Sequence, residues 1–141
     1  MGSILRTLGG TSVLRARSPN YDAIIEQVRS GLPYSALETV AARFRIPQED
    51  LVRVLALPPR TLARRKKGRR LRAAESDRLL RLGRIAALAE EVLGSRDKAV
   101  SWLRKPNRAL GGTDPLDRLD TDLGAKQVEQ ILARIAHGVY S

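Results

Sequence analysis

From residue 21 onward the apolar positions recur every three or four residues rather than every second one, a helical rather than a strand pattern. Ile24, Ile25 and Val28 form a stripe behind Asn20, a good N-cap, and ahead of Gly31, predicting a helix over about 21–30. Ser35 and Glu38 have capping-box spacing. They would open a helix running to about Arg45 with Leu37, Val40, Ala41 and Phe44 inward. Pro47 suits a first helical position, Glu49 and Asp50 favour that N-terminus, and Leu51, Val54 and Leu55 give a third helix its buried side. After the break Ala56-Leu57-Pro58, a fourth helix runs from about Pro59 to Lys67 and ends at Gly68. The longest pattern, Glu75 to Leu93, is apolar around much of its circumference and closes at Gly94, so it is either covered on both sides or dimerises. Ser95 caps a short helix with Val100, Trp102 and Leu103. Residues 111–115 form a loop, and Pro115 to Asp120 make about one helical turn. Thr121 caps a last helix carrying Val128, Ile131, Leu132 and Ile135, stopped at Gly138. No segment reads as a strand, so the fold class is all-α. Residues 1–20, with Gly9, Gly10 and several Arg and Ser, read as a flexible N-terminal arm.

Composition narrows the chemistry. The 141 residues are 43% hydrophobic but only 4% aromatic, enough apolar material for a core built from aliphatic side chains. No cysteine is present, which removes disulfides and thiolate metal sites. One histidine, His137, leaves little for zinc or a His-based dyad. Asp114, Asp117, Asp120 and Asp122 lie close together but lack the glycine and terminal glutamate of a calcium loop, and Pro115 interrupts them. Gly111-Gly112 is not followed by the Lys-Ser/Thr of a phosphate loop. We therefore expect no catalytic residues, no metal and no cofactor. With no sustained apolar run to cross or enter a membrane, the expectation is a soluble, cytoplasmic protein.

Charge changes the picture most. The net charge is +11, unevenly spread: +2 over residues 1–59, +11 over 60–110 and −2 over 111–141. A basic block between two nearly neutral ends points to a polyanion partner for the middle and another task for the end. Residues 58–70, PPRTLARRKKGRR, carry seven cations and no carboxylate. A solvated helix face or a flexible nucleic-acid tail would be the plain readings. Yet the stretch falls on the second helix of a tight helix–turn–helix, with Leu51–Leu55 as support and Ala56-Leu57-Pro58 as the turn. Such a second helix can enter the major groove. Arg60, Thr61, Arg64 and Arg65 would face base edges, while Lys66, Lys67, Arg69, Arg70 and Arg72 would lie beside phosphates.

Leu55 to Arg65, LALPPRTLARR, resembles the helix–turn–helix of Xre/Cro-type regulators, with Ala56 where glycine is common and Pro58 where serine or threonine is common. Residues 99–141 resemble the toxin-binding domain of Xre/MbcA/ParS antitoxins. The resemblance is carried by Trp102-Leu103, Pro106-Asn107, Leu110, Gly112, Pro115-Leu116, Leu119, Thr121, Gly124, Val128, Ile135 and Gly138-Val139. Arg118 departs from it, standing where such proteins usually carry an aliphatic residue. The resemblance spans about 35–141 and implies an antitoxin of a type II system. It would pair with a RES-domain, NAD-consuming toxin, dimerise through its helical core, occlude the toxin's active site with its C-terminal domain and bind its own operator DNA. Asn107, Gly111, Gly112, Asp114, Pro115, Arg118, Val139, Tyr140 and Ser141 would contact the toxin. Trp102 is expected to be a core anchor. The implied organisation is an arm (1–20), a helix–turn–helix domain (21–72), and a dimerisation helix with toxin-binding domain (73–141).

Two rivals stay open. One is a stand-alone repressor whose C-terminal half only dimerises; the other is an antitoxin whose helix–turn–helix is vestigial. Removing residues 112–141 is expected to spare the fold of the basic half.

Overall fold

The computed structural model describes residues 20–138, which form an all-helical fold. In chain order the helices are α1 (Tyr21–Ser30), α2 (Tyr34–Arg43), α3 (Gln48–Val54), α4 (Pro59–Gly68), α5 (Ala73–Leu93) and α6 (Arg96–Leu103). Two 3₁₀ helices follow, Arg108–Leu110 and Pro115–Asp120, and then α7 (Asp122–Ala136). Among the described residues there is no strand, only isolated bridges pairing Pro33 with Arg70 and Asn107 with Thr113.

Three of the sequence-predicted caps form. Asn20 accepts a hydrogen bond from the Ala23 N–H, Ser95 from Lys98 and Thr121 from Gly124. The Ser35–Glu38 capping box does not. Helix α2 starts two residues earlier, at Tyr34, with Pro33 as N-cap and no side-chain cap. Tertiary contacts explain the shift: the Tyr34 N–H donates to the Arg69 carbonyl (2.9 Å), and the Tyr34 side chain is buried. Burial raises the Tyr34 hydroxyl's pKa, and the nearby Glu38 carboxylate pushes the same way. Pro47 also stands one place outside its expected position, as the N-cap of α3. Helix α4 includes Gly68, and the left-handed residue that ends it is Arg69, at φ 68°.

Helix α5 is the hub. Leu79, Leu82, Ile85, Ala86 and Ala89 are fully buried, and α1, α6, α7 and the Pro115–Asp120 turn all pack on it. Leu80, Leu88, Val92 and Leu93 of the same helix are only partly buried. One continuous core runs from Leu32 and Val40 through Leu55 and Ile85 to Val128 and Leu132. The expected boundary at 72/73 marks no break in packing. A cut at 112 would strip Leu116, Leu119, Val128, Ile131 and Leu132 from that core.

Two glycines allow close approaches that set this geometry. A Cβ at Gly31, already at φ +94°, would sit 2.1 Å from the Leu71 carbonyl oxygen. One at Gly124 would sit 1.9 Å from the Arg118 carbonyl oxygen. Gly31 lets the α1–α2 link lie against the chain leaving α4, and Gly124 lets α7 start directly beneath the preceding turn.

Candidate nucleic-acid and partner-binding surfaces

Helix α3, the turn and α4 have the expected helix–turn–helix form. Ala56 takes the left-handed conformation of the turn (φ 52°), and the Leu57 N–H returns to the Val52 carbonyl at 3.0 Å. Pro59 occupies the first turn of α4, where its missing N–H costs nothing. Leu62 is the buried side chain of α4. At 100° per residue, Arg60, Arg64 and Lys67 fall about 140–200° away from Leu62, on the outward face. Arg60, Arg64, Lys66, Lys67 and Arg69 are exposed, Thr61 is half-buried, and among the described residues none of these cations is paired with a carboxylate.

Arg65 is a correction. It was expected beside Arg64 at the base edges, but it points inward. Its Nε donates to Glu75 Oε1 (2.8 Å) and its Nη2 to Oε2 (3.0 Å), with both side chains only 12% and 10% exposed. Glu75 Oε1 also accepts the Arg72 N–H at the head of α5 (2.9 Å). Burial alone would raise the Glu75 carboxyl. The hydrogen bonds from Arg65 and Arg72 and the adjacent positive charge outweigh burial and hold it below the usual carboxylate range. The same hydrogen bond to Glu75 raises Arg65. Arg70 is also partly engaged, donating to the Gly31 carbonyl (2.6 Å).

Several other arginines of the basic block are structural. Arg81 donates to the Leu119 carbonyl (3.3 and 3.2 Å), Arg84 pairs with Glu129, and Arg78 reaches the Leu55 carbonyl (3.4 Å). Among the described residues of the block, cations without a carboxylate partner include Arg60, Arg64, Lys66, Lys67 and Arg69 on and just after α4, and Arg96, Lys98, Lys105 and Arg108 further along the chain.

The second surface surrounds the loop between the two 3₁₀ helices. The Asn107 side chain accepts the Ala109 N–H (2.9 Å), and its backbone pairs with Thr113. Gly111 and Gly112, both at positive φ, are exposed at the loop tip, and Asp114 is half-exposed. Two expected contact residues face inward instead. Pro115 is buried beneath the loop. Arg118 folds back, its Nε donating to Thr113 Oγ1 (2.9 Å) and its Nη2 to the Leu110 carbonyl (2.8 Å), so it staples the loop from within. Val139, Tyr140 and Ser141 lie outside the described residues. Trp102, expected as a core anchor, is only half-buried. With Leu93, Asp97, Lys98, Ser101 and Lys105 it lines an open groove of about 420 Å³.

Sequence reasoning missed two features here. Leu123, 76% exposed, lies off the apolar stripe of α7, and that offset was legible. An ion-pair chain joins the two surfaces. Arg53 bonds Asp50 (2.9 Å) and Asp117, Asp50 faces Arg104 (3.8 Å), and Arg45 bonds Asp97 (2.9 Å). Burial works against the Arg53 charge, but hydrogen bonding to Asp50 and the charge of Asp117 raise its pKa. These partners are 52 or more residues apart except for the local Asp50–Arg53 pair, so spacing carried no signal.

The helix–turn–helix bearing unpaired cations is joined through one core to a helical loop-bearing module, and both parts match models of antitoxin domains of toxin–antitoxin systems. The family model described as the antitoxin Xre-like helix-turn-helix domain matches residues 23–84. That described as the antitoxin Xre/MbcA/ParS C-terminal toxin-binding domain matches residues 88–138. The two meet inside α5. The chain is 32% identical to Antitoxin Xre of Photorhabdus laumondii over 96% of its own length and 89% of that protein's. It is 28% identical to Antitoxin Xre of Yersinia enterocolitica over 84% of this chain and 81% of the relative, and 43% identical to Antitoxin Xre of Pseudomonas putida over 58% and 52%. The chain belongs to the Xre/MbcA/ParS antitoxin family. No helix among the described residues is long and apolar enough to cross a membrane.

Proposed function

We propose that this antitoxin neutralises a RES-domain, NAD-consuming toxin by covering its active site, and that it represses its own transcription through α4. It acts as a binder, not a catalyst. The observation that carries the partner reading is the position of the loop Gly111–Asp114. It is exposed at its tip, stapled by Arg118 and Asn107, and inside the segment matched by the toxin-binding-domain model. A stapled loop loses little conformational freedom on docking, which favours tight binding. Gly111, Gly112, Asp114 and the flanks of Asn107 form the contact, with Val139, Tyr140 and Ser141 as the segment that reaches the cleft. Pro115 and Arg118 hold the loop in shape.

For DNA, Arg60, Thr61 and Arg64 face base edges, and Lys66, Lys67 and Arg69 face phosphates of double-stranded operator DNA. Two half-sites read by a homodimer would fit such a helix–turn–helix. For the dimer contact the apolar candidates are the partly buried Leu80, Leu88, Val92 and Leu93 of α5 and the exposed Tyr21 and Ile25 of α1 and Leu123 of α7. The protein works in the cytoplasm, where both partners are found.

The test is a tagged pull-down from the native host, washed at roughly 0.5 M salt to remove charge-held nucleic acid. A stoichiometric RES-domain protein is the expected companion. Recovery of specific DNA at low salt with no protein companion would instead favour a stand-alone repressor.

A further inference from the structure

Helix α4 is weakly tied down for an element that has to read a groove. It is ten residues long and buries only Leu62 among its side chains. Its ends are fixed, by the turn at Ala56-Leu57 on one side and on the other by the Tyr34 N–H on the Arg69 carbonyl and the Leu71 N–H on the Leu32 carbonyl (both 2.9 Å). End contacts leave rotation of the helix about its own axis to a single side chain. Arg65 lies one turn after Leu62 on the same inward side and supplies the second lateral tether.

That tether is rigid. The guanidinium meets Glu75 through two parallel N–H···O bonds, the fork geometry that fixes direction as well as distance. Glu75 is itself held by the Arg72 N–H. The next residue, Ser76, is fully buried. It accepts the Leu32 N–H (2.7 Å) and donates to the Arg72 carbonyl (2.8 Å), locking the start of α5 to the α1–α2 link. The anchor for α4 is therefore the core, not a surface side chain.

We propose that Arg65 and Glu75 are a positioning pair for DNA recognition. They set the rotation of α4 so that Arg60 and Arg64 meet the base edges, and Arg65 itself touches neither base nor phosphate. A buried ion pair adds little net stability compared with apolar packing, but it imposes a single geometry. On the recognition helix, geometry is what discriminates bases. This rests on the DNA-binding reading.

The full chain, Glu75→Gln and Arg65→Lys would each be used to select from a randomised 30-base-pair duplex library, with binding to calf-thymus DNA measured over a salt series. Both variants keep a hydrogen-bonding group but lose the charged fork, and their helical content would be checked first. The wild type is expected to enrich a consensus. The variants should lose about tenfold or more of the ratio of specific to non-specific affinity, about what one good base contact is worth. Their salt slope on calf-thymus DNA should be unchanged, because no phosphate contact is removed. Variants that enrich the same consensus with the same ratio overturn the pair's role and leave the DNA reading intact. So does a salt slope reduced by about one for the neutral variant Arg65→Gln, run in the same series, together with an unaltered Glu75→Gln, since Arg65 would then be a phosphate contact. A wild type that enriches nothing overturns the DNA reading, and the pair's role with it. If either variant loses its helical content, the other decides.

Discussion

Ala56 shows how much one residue can hold. It is an exposed L-residue at φ 52° in the tight turn before α4, a conformation that costs an alanine roughly 1 kcal/mol or more and a glycine almost nothing. Part of that difference returns as the greater freedom of glycine in the unfolded chain. Ala56→Gly should therefore stabilise the fold by about 0.5 kcal/mol, measurable as a raised midpoint in urea unfolding with unchanged slope. Glu75 gives the opposite case. Its carboxyl is held below its ordinary value, so the ionised form stabilises the fold above the unfolded-state pKa, about 4.3, and that contribution disappears as pH falls through the depressed folded-state value. Glu75→Gln should cost about 2 kcal/mol at neutral pH, as expected for a buried partner lost but a hydrogen bond retained. In unfolding curves taken at decreasing pH, the gap to wild type should narrow below about pH 4. A gap independent of pH would show that the Glu75 charge contributes nothing.

At the scale of elements, the sequence pattern was most reliable where local chemistry decides. Asn20, Ser95 and Thr121 cap the helices they were expected to cap, because a short polar side chain and the following N–H groups need no distant partner. Ser35 failed for the converse reason: the chain leaving α4 had already claimed the Tyr34 N–H. Within α4, periodicity placed Arg60, Arg64 and Lys67 outward. The same 100° step separates Arg64 from Arg65, which falls three residues after Leu62 on the inward side; what spacing did not show is the partner it meets there, a carboxylate at position 75. That separation is testable. Arg64→Ala should weaken operator binding by about 1–3 kcal/mol while leaving unfolding unchanged. Lys67→Ala should lower the salt slope by about one and weaken all sequences alike. Loss of stability rather than of binding in Arg64→Ala would place that side chain inside the fold.

For the whole molecule, the sequence suggested two tasks but not one body. Charge distribution alone separated a basic middle from a mildly acidic end, and the resemblance to antitoxins supplied a partner for that end. The shared core was not legible, since helices of similar stripe can pack in many pairings and the ion pairs linking α3 to the Pro115–Asp120 turn join residues 64 apart. The consequence is that damage in one half should be felt in both. Leu132→Ala, in the fully buried middle of α7, should cost about 2–5 kcal/mol and lower DNA binding as well as partner binding near the unfolding temperature. Removing residues 112–141 should leave a chain without a cooperative thermal transition. A truncated chain that unfolds cooperatively at the wild-type temperature would show that the basic half folds alone after all.

The most direct measurement of the central claim is NAD consumption by a purified RES-domain toxin, the one recovered with this chain, titrated with the full-length antitoxin. Consumption should fall to zero at a fixed stoichiometric ratio. It should fall equally for a variant in which Arg60, Arg64 and Lys67 are replaced by alanine, since the DNA face takes no part. Undiminished NAD consumption at a large excess of folded antitoxin would contradict the account, as would inhibition that vanishes with the α4 cations.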